Sequence, residues 1–148
     1  MTIPPSPAAG EQRAYAARLA ALSDAAAFAQ DFSARHGIGH RSASRLSLII
    51  EELFTNTVRH GYRGDCDRPI RIALAAARGA VTLFYEDEAP RYDPLAGLAA
   101  KPASLATPIE SRPVGGLGVV LVGVLAQSAR YAHEDGCNRL WLELRTAA

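Results

Sequence analysis

Cysteine is nearly missing from this chain of 148 residues: Cys66 and Cys137 are the two present. They have no metal-ligand spacing and are too few for a disulfide framework, which argues against a thiolate metal centre and against an oxidising compartment. Two unpaired thiols are expected. A surplus of charge is missing as well. Sixteen Lys and Arg against fifteen Asp and Glu leave a formal net charge of +1, so there is no electrostatic footprint for nucleic acid or for an anionic membrane surface. Long apolar runs are also lacking. The longest stretch, Val114 to Ala126, contains four glycines and is too short to span a bilayer. The opening Met1-Thr2-Ile3-Pro4-Pro5-Ser6-Pro7 has neither the basic nor the apolar region of a signal peptide. It reads as a disordered lead over residues 1–9 of a cytoplasmic protein. What is present, 49% hydrophobic and 21% charged residues, suffices for one globular domain over 10–148 with a core of its own.

Residues 10–36 are rich in Ala, and propensity alone favours one long helix there. Ser23-Asp24 is a plausible N-cap that would divide it, and Gly37-Ile38-Gly39 ends it. A second helix is predicted from about Ser42 to His60, stopped by Gly61. Its apolar spacing, Leu46, Leu48, Ile49, Ile50, Leu53 and Phe54, fits one buried face. After a polar turn at 63–68, Pro69–Ala77 and Ala80–Asp87 read as strands around the Arg78-Gly79 turn, with Val81, Leu83 and Tyr85 on one face. From Glu88 to Gly118 the character changes: five prolines and little periodicity suggest a functional lid. Leu117–Ser128 reads as an apolar helix. Ala129–His133 and Arg139–Arg145 read as strands joined at Glu134-Asp135-Gly136. The sum is a single α+β layer arrangement.

Three short segments carry chemistry. In Glu51-Glu52-Leu53-Phe54-Thr55-Asn56, Glu52 and Asn56 are four residues apart and project from the same side of their helix. A carboxylate there can take a proton, and a carboxamide oxygen one turn on is a hard ligand for hydrated Mg2+. Asp87 ends a strand at the start of the proline-rich loop, where its carboxylate can accept a hydrogen bond from an exocyclic amine such as that of adenine. Gly115-Gly116-Leu117-Gly118 runs directly into a helix, so backbone N–H groups can approach a phosphate. It is neither a P-loop nor a dinucleotide fingerprint, because it lacks the Lys-Ser/Thr ending and the leading strand. Each segment alone also has an ordinary reading: a solvated helix face, turn chemistry, a hinge.

In this order the three segments resemble the GHKL ATP-binding superfamily. More closely, the chain is similar to the anti-sigma-factor serine/threonine kinases of bacterial partner-switching systems. The residues that carry the resemblance are Glu52-Leu53-Phe54-Thr55-Asn56 with His60-Gly61-Tyr62, then Asp87-x-Ala89-Pro90-x-Tyr92-Asp93-Pro94, then Gly115-Gly116-Leu117-Gly118. The resemblance implies a two-layer α+β sandwich, with a mostly antiparallel mixed sheet covered on one face by helices, and a lid over about 88–118. It implies an edge strand at 13–21, against the helical propensity of those residues. It implies ATP and Mg2+ as cofactors, Glu52 as the general base, Asn56 as the metal ligand, and Asp87 as the adenine acceptor. Gly115, Gly116 and Gly118 would lie at the phosphates. Ala89 stands where the family often has Gly, so a positive φ there would be unfavourable. Glu51 points about 100° away from Glu52 round the helix. Arg59 and Arg112 are candidates for the γ-phosphate, and His60 could lie near the phosphates or cap the helix C-terminus, the second being preferred. The implied activity is phosphorylation of a STAS-domain antagonist, with a sigma factor as a second partner and a homodimer as the expected assembly. The alternative is a kinase-inactive, ATP-dependent switch that sequesters a sigma factor or another regulator. A detached histidine-kinase catalytic domain would need a phosphoacceptor His on a dimerisation helix pair, and His36 and His40 stand in an unsuitable context.

Overall fold

The computed structural model describes residues 10–94 and 126–146. Across them run β1 (Glu11–Ala16), α1 (Leu22–Arg35), α2 (His40–Asn56), β2 (Pro69–Ala77), β3 (Ala80–Asp87), β4 (Ala126–Glu134) and β5 (Cys137–Arg145). The strands form one sheet in the order β1-β2-β3-β5-β4, antiparallel at every described pair. Alternate residues of β2, β3 and β5, among them Ile72, Leu74, Leu83 and Leu142, join Phe32, Ile49, Ile50 and Phe54 from the helices in one buried cluster. This is the two-layer α+β arrangement implied by the resemblance. The opposite face of the sheet carries Phe84 against Trp141, with ring centroids 5.3 Å apart. Beside that pair Glu86 is held by Arg71 at 2.8 Å and Arg139 at 2.7 Å.

The first element is a strand despite its alanines. Its odd-numbered residues share a face with period two, and each meets α1 or α2. Glu11 pairs with Arg35, Arg13 lies 5.0 Å over the Phe28 ring, and Tyr15 meets Phe54 edge-on at 6.3 Å. Ladder bonds to β2 and these contacts outweigh a helix preference worth a few tenths of a kcal/mol per residue (about 0.5). The strand lies at Glu11–Ala16, upstream of the expected 13–21. The Ser23-Asp24 cap is also corrected. A single 3-10 turn at Leu19–Ala21 leads into α1, whose N-cap position is Ala21, with no side-chain cap. The entry is instead held from the turn at 63–68. The Leu19 N–H donates to Asp65 at 2.9 Å, Arg18 to Asp67 at 2.8 Å, and Ala17 and Arg68 are joined through the backbone at 2.9 Å.

The second helix starts at His40 and keeps α geometry to Asn56. Residues Thr57–Gly61 then widen into a π turn, closed by Tyr62 N–H on the Thr57 carbonyl at 2.8 Å. The expected α-helix through His60 thus ends a turn early. Such single π turns are frequent at functional sites, and here the widening coincides with the anchoring of Thr57 to the end of β3. Both predicted strands, Pro69–Ala77 and Ala80–Asp87, have the bounds read from the sequence, with Gly79 at φ +72 in their turn. At the second hairpin Asp135 (φ 54) and Gly136 (φ 75) form the left-handed pair that suits a two-residue connection. Here β4 reaches back to Ala126, so the expected helix over 117–128 does not extend through Ala126–Ser128. Ladder pairing of Ala126 with Leu144 and of Ser128 with Glu143 captures those residues, with a register irregularity between them. Positions 117–125 of that expected helix, and most of the expected lid, lie outside the described residues.

Among the described residues no helix is long and apolar enough to cross a membrane, and no group of His, Cys, Asp and Glu is placed to hold a metal ion. Both cysteines are unpaired, Cys137 buried and Cys66 partly so.

Candidate functional site

The last residue of β3 organises the site. Asp87 is 7% exposed, and three protein donors converge on its carboxylate. The Asn138 amide and the Ala89 N–H reach Oδ1 at 2.9 and 3.1 Å, and the Thr57 hydroxyl reaches Oδ2 at 2.8 Å. The Thr57 oxygen also lies 3.0 Å from the Leu53 carbonyl and 2.7 Å from the Tyr85 hydroxyl. A hydroxyl has one proton to give. A bond to a carboxylate is the stronger of the two choices, so Thr57 donates to Asp87 and Tyr85 donates to Thr57. Burial pushes the Tyr85 hydroxyl well above its ordinary pKa, which keeps that proton in place. A carboxylate offers about four acceptor positions. With Oδ1 doubly used and Oδ2 singly used, Asp87 retains one acceptor position on Oδ2.

The segment after Asp87 is fixed from two sides. The Tyr62 hydroxyl accepts the Glu88 N–H at 2.7 Å, and burial raises the pKa of that phenol to about 12. A Cβ built on Gly61 would lie 2.9 Å from the Cβ of Ala89, so the absence of a side chain at 61 is what lets the π turn approach this loop. Ala89 avoids the strain its family position implied, because Arg63 and Asp135 are the non-glycine residues with positive φ among those described.

Glu52 and Asn56 occupy the last two turns of α2, immediately before Thr57. Both are half-buried, and neither side chain is committed to a hydrogen bond or ion pair among the described residues. One carboxamide oxygen is too little to hold a metal by itself. It does fit Mg2+, which keeps most of its waters and takes its remaining oxygens from substrate phosphates. Glu51 is likewise half-buried, whereas Arg59 and His60 are exposed on the π turn, where the Arg59 guanidinium supplies positive charge at a helix C-terminus. The structure thus brings Glu52, Asn56, Asp87 and Ala89 to one end of the molecule, joined through Thr57. Arg112, Gly115, Gly116 and Gly118 lie outside the described residues.

Sequence reasoning missed Thr57 and Asn138. Thr57 was legible in part, since a hydroxyl directly after Asn56 faces about 100° away, toward the sheet. Asn138 carried no local signal. It reaches the site because β5 pairs antiparallel with β3, setting Asn138 opposite Asp87.

This geometry has known counterparts. The pattern of the histidine kinase-like ATPase domain matches residues 15–144, and the chain belongs to that family. Within it, serine-protein kinase RsbW of Listeria monocytogenes serotype 4a is 21% identical over 107 residues, covering 72% of this chain and 68% of the relative. Serine-protein kinase RsbW of Listeria innocua serovar 6a matches to the same extent, 21% over 107 residues. A chain in the crystal structure of the SiaB–SiaC complex from Pseudomonas aeruginosa superposes with a TM-score of 0.59 at 13% identity, over 90% of this chain and 88% of that one. That last likeness bears on the fold alone. The family inferred from the three sequence segments is therefore borne out, and the resemblance to serine/threonine kinases has its counterpart in the two RsbW relatives.

Proposed function

We propose that this protein is an ATP- and Mg2+-dependent protein serine/threonine kinase whose substrate is a STAS-domain antagonist, and that it also sequesters a sigma factor, working as a homodimer. The observation that carries the reading is the juxtaposition through Thr57. A buried carboxylate with one open acceptor position sits on one side, and the uncommitted Glu52 and Asn56 sit on the other. In this reading Asp87 accepts the exocyclic amine of adenine. Asn56 holds the metal, and Glu52 takes the proton of the incoming hydroxyl. Bound Mg2+ supplies neutralisation of the charge that spreads over the phosphates during transfer. The protein's own work is positioning: α2 sets the base one turn from the metal ligand, and the end of β3 sets the base-recognition carboxylate beside them. Arg112 and the glycines Gly115, Gly116 and Gly118 contact the phosphates in this proposal. The kinship to serine-protein kinases favours Ser or Thr as acceptor, and retention of Glu52 favours catalysis over binding alone.

Incubation with Mg·ATP and a candidate STAS-domain protein, best chosen from the products of neighbouring genes, followed by mass spectrometry, tests this. Phosphate is expected on a partner Ser or Thr with the parent protein. With Glu52→Ala it should fall by about 10^2–10^4-fold, the usual worth of a general base, while nucleotide binding persists. Tight binding of both ATP and partner with no phosphate transferred would replace the kinase with an ATP-dependent binding switch.

A further inference from the structure

Asn138 makes more side-chain hydrogen bonds than the ATP reading uses. Its Nδ2 lies 2.9 Å from Asp87 Oδ1, 3.0 Å from the Ala89 carbonyl and 3.0 Å from the Pro90 carbonyl. Its Oδ1 accepts the Tyr92 N–H at 3.0 Å and the Tyr131 hydroxyl. These partners settle the amide's orientation, since three oxygens face one end and two donors face the other. Both amide protons are used, one of them shared, and both oxygen lone pairs are occupied. The residue is 9% exposed. An amide saturated in this way is held in one rotamer, and it holds its partners in turn.

The partners fall into two groups. One is the carboxylate of Asp87. The other is the backbone of Ala89, Pro90 and Tyr92, the first residues after β3 and the root of the expected lid. Tyr131, from β4, braces the amide from behind. Burial raises the pKa of its phenol, consistent with a hydroxyl that stays protonated and keeps donating.

We propose that Asn138 is a positioning residue for purine recognition: it occupies Asp87 Oδ1 and clamps the backbone of Ala89–Tyr92, so that Asp87 offers a single, fixed acceptor to the 6-amino group of the base. This rests on the nucleotide reading above and adds to it the residue that sets selectivity. Without Asn138, Oδ1 keeps only the Ala89 N–H and regains an open acceptor position, so the carboxylate presents an acceptor on each oxygen instead of one, and the Ala89–Tyr92 backbone loses its contacts to the amide. Contacts to phosphates and ribose are shared by nucleotides with and without the 6-amino group. Loss of Asn138 therefore lowers the preference for the 6-amino group, whatever it does to general nucleotide affinity.

The experiment compares the affinity of the full chain for ATP with its affinity for purine riboside triphosphate, which lacks only the 6-amino group, both with Mg2+. The parent protein is expected to favour ATP by about tenfold or more, the lower end of the worth of one hydrogen bond to a charged acceptor. In Asn138→Ala the ratio should fall to about two- to threefold or less, mainly through weaker ATP binding. In Asn138→Asp, which places a carboxylate oxygen against Asp87 and two carbonyls, it should fall at least as far. A partly unfolded variant loses both affinities by the same factor, so the ratio isolates positioning from stability. If Asn138→Ala does not fold, Asn138→Ser replaces it. Its single hydroxyl proton can serve only one of the three acceptors, so the ratio should again drop. An unchanged ratio in a folded variant overturns the proposal. A parent protein that binds both triphosphates equally overturns it together with the assignment of the 6-amino group to Asp87. One that binds neither overturns the nucleotide reading itself.

Discussion

At the scale of single residues, Gly61 shows how one position serves two roles. By sequence it reads as a helix stop. In the structure it closes the π turn, and the Cβ it lacks would stand 2.9 Å from Ala89. Adding a methyl there overpacks a well-filled contact, which costs about 1–3 kcal/mol and exceeds the roughly 0.4–1 kcal/mol that Gly→Ala contributes through the unfolded chain. Gly61→Ala is thus expected to lower the urea midpoint. Adding Ala89→Gly, which removes the opposing methyl, should recover most of the loss. Unfolding curves for the two single variants and the double variant check this. Simple additivity of the two changes would show that the methyl contact does not set the stability.

At the scale of elements, the edge strand β1 is tied to the C-terminal end of α1 by charge. Glu11 receives Arg35 at 2.6 Å and His36 at 3.2 Å. The Arg35 guanidinium, chiefly through its hydrogen bonds, and then the His36 imidazole lower the Glu11 pKa from 4.5 to about 2. A carboxyl depressed on folding contributes stability that is whole above its unfolded value and is lost as pH falls through the folded one. The window here runs from about 4.5 down to about 2. Because the pair is exposed, solvent and salt screen it and the effect is small. Urea titrations across that window should give Glu11→Gln a lower midpoint than the parent protein at neutral pH, with the two converging toward pH 2. Parallel curves at all pH values would rule out the ionised pair as the tie. The same element shows why propensity misleads: alanines at 14, 16 and 17 favour a helix, but the edge of β2 needs a partner and α1 and α2 offer contacts for Glu11, Arg13 and Tyr15.

For the whole molecule, ligand binding at the end of the sheet should be felt globally, because Thr57, Asp87 and Asn138 join α2, β3 and β5. A ligand present at 100 times its dissociation constant stabilises the folded state by about 2.7 kcal/mol. For a domain near this size that raises Tm by roughly 5–11 °C. Mg·ATP at such an excess is expected to do so in a thermal melt, and Asp87→Asn, which turns one acceptor oxygen into a donor, should reduce the shift. An equal shift in both proteins would remove Asp87 from the site.

Much of this molecule was readable from residue order alone. Strand alternation over 69–77 and 80–87, the Asp-Gly turn, and the buried face of α2 follow from local periodicity and turn chemistry, which act over a few residues. So does the placement of Glu52 and Asn56 on one side, since helical spacing is a local property. Tertiary structure decided whatever depends on partners distant in sequence. It made residues 11–16 a strand, drew Ala126–Ser128 into β4, and widened the end of α2 so that Thr57 meets Asp87. It also put Asn138 beside a carboxylate 51 positions away, because antiparallel register rather than local preference sets which side chains of β3 and β5 face each other.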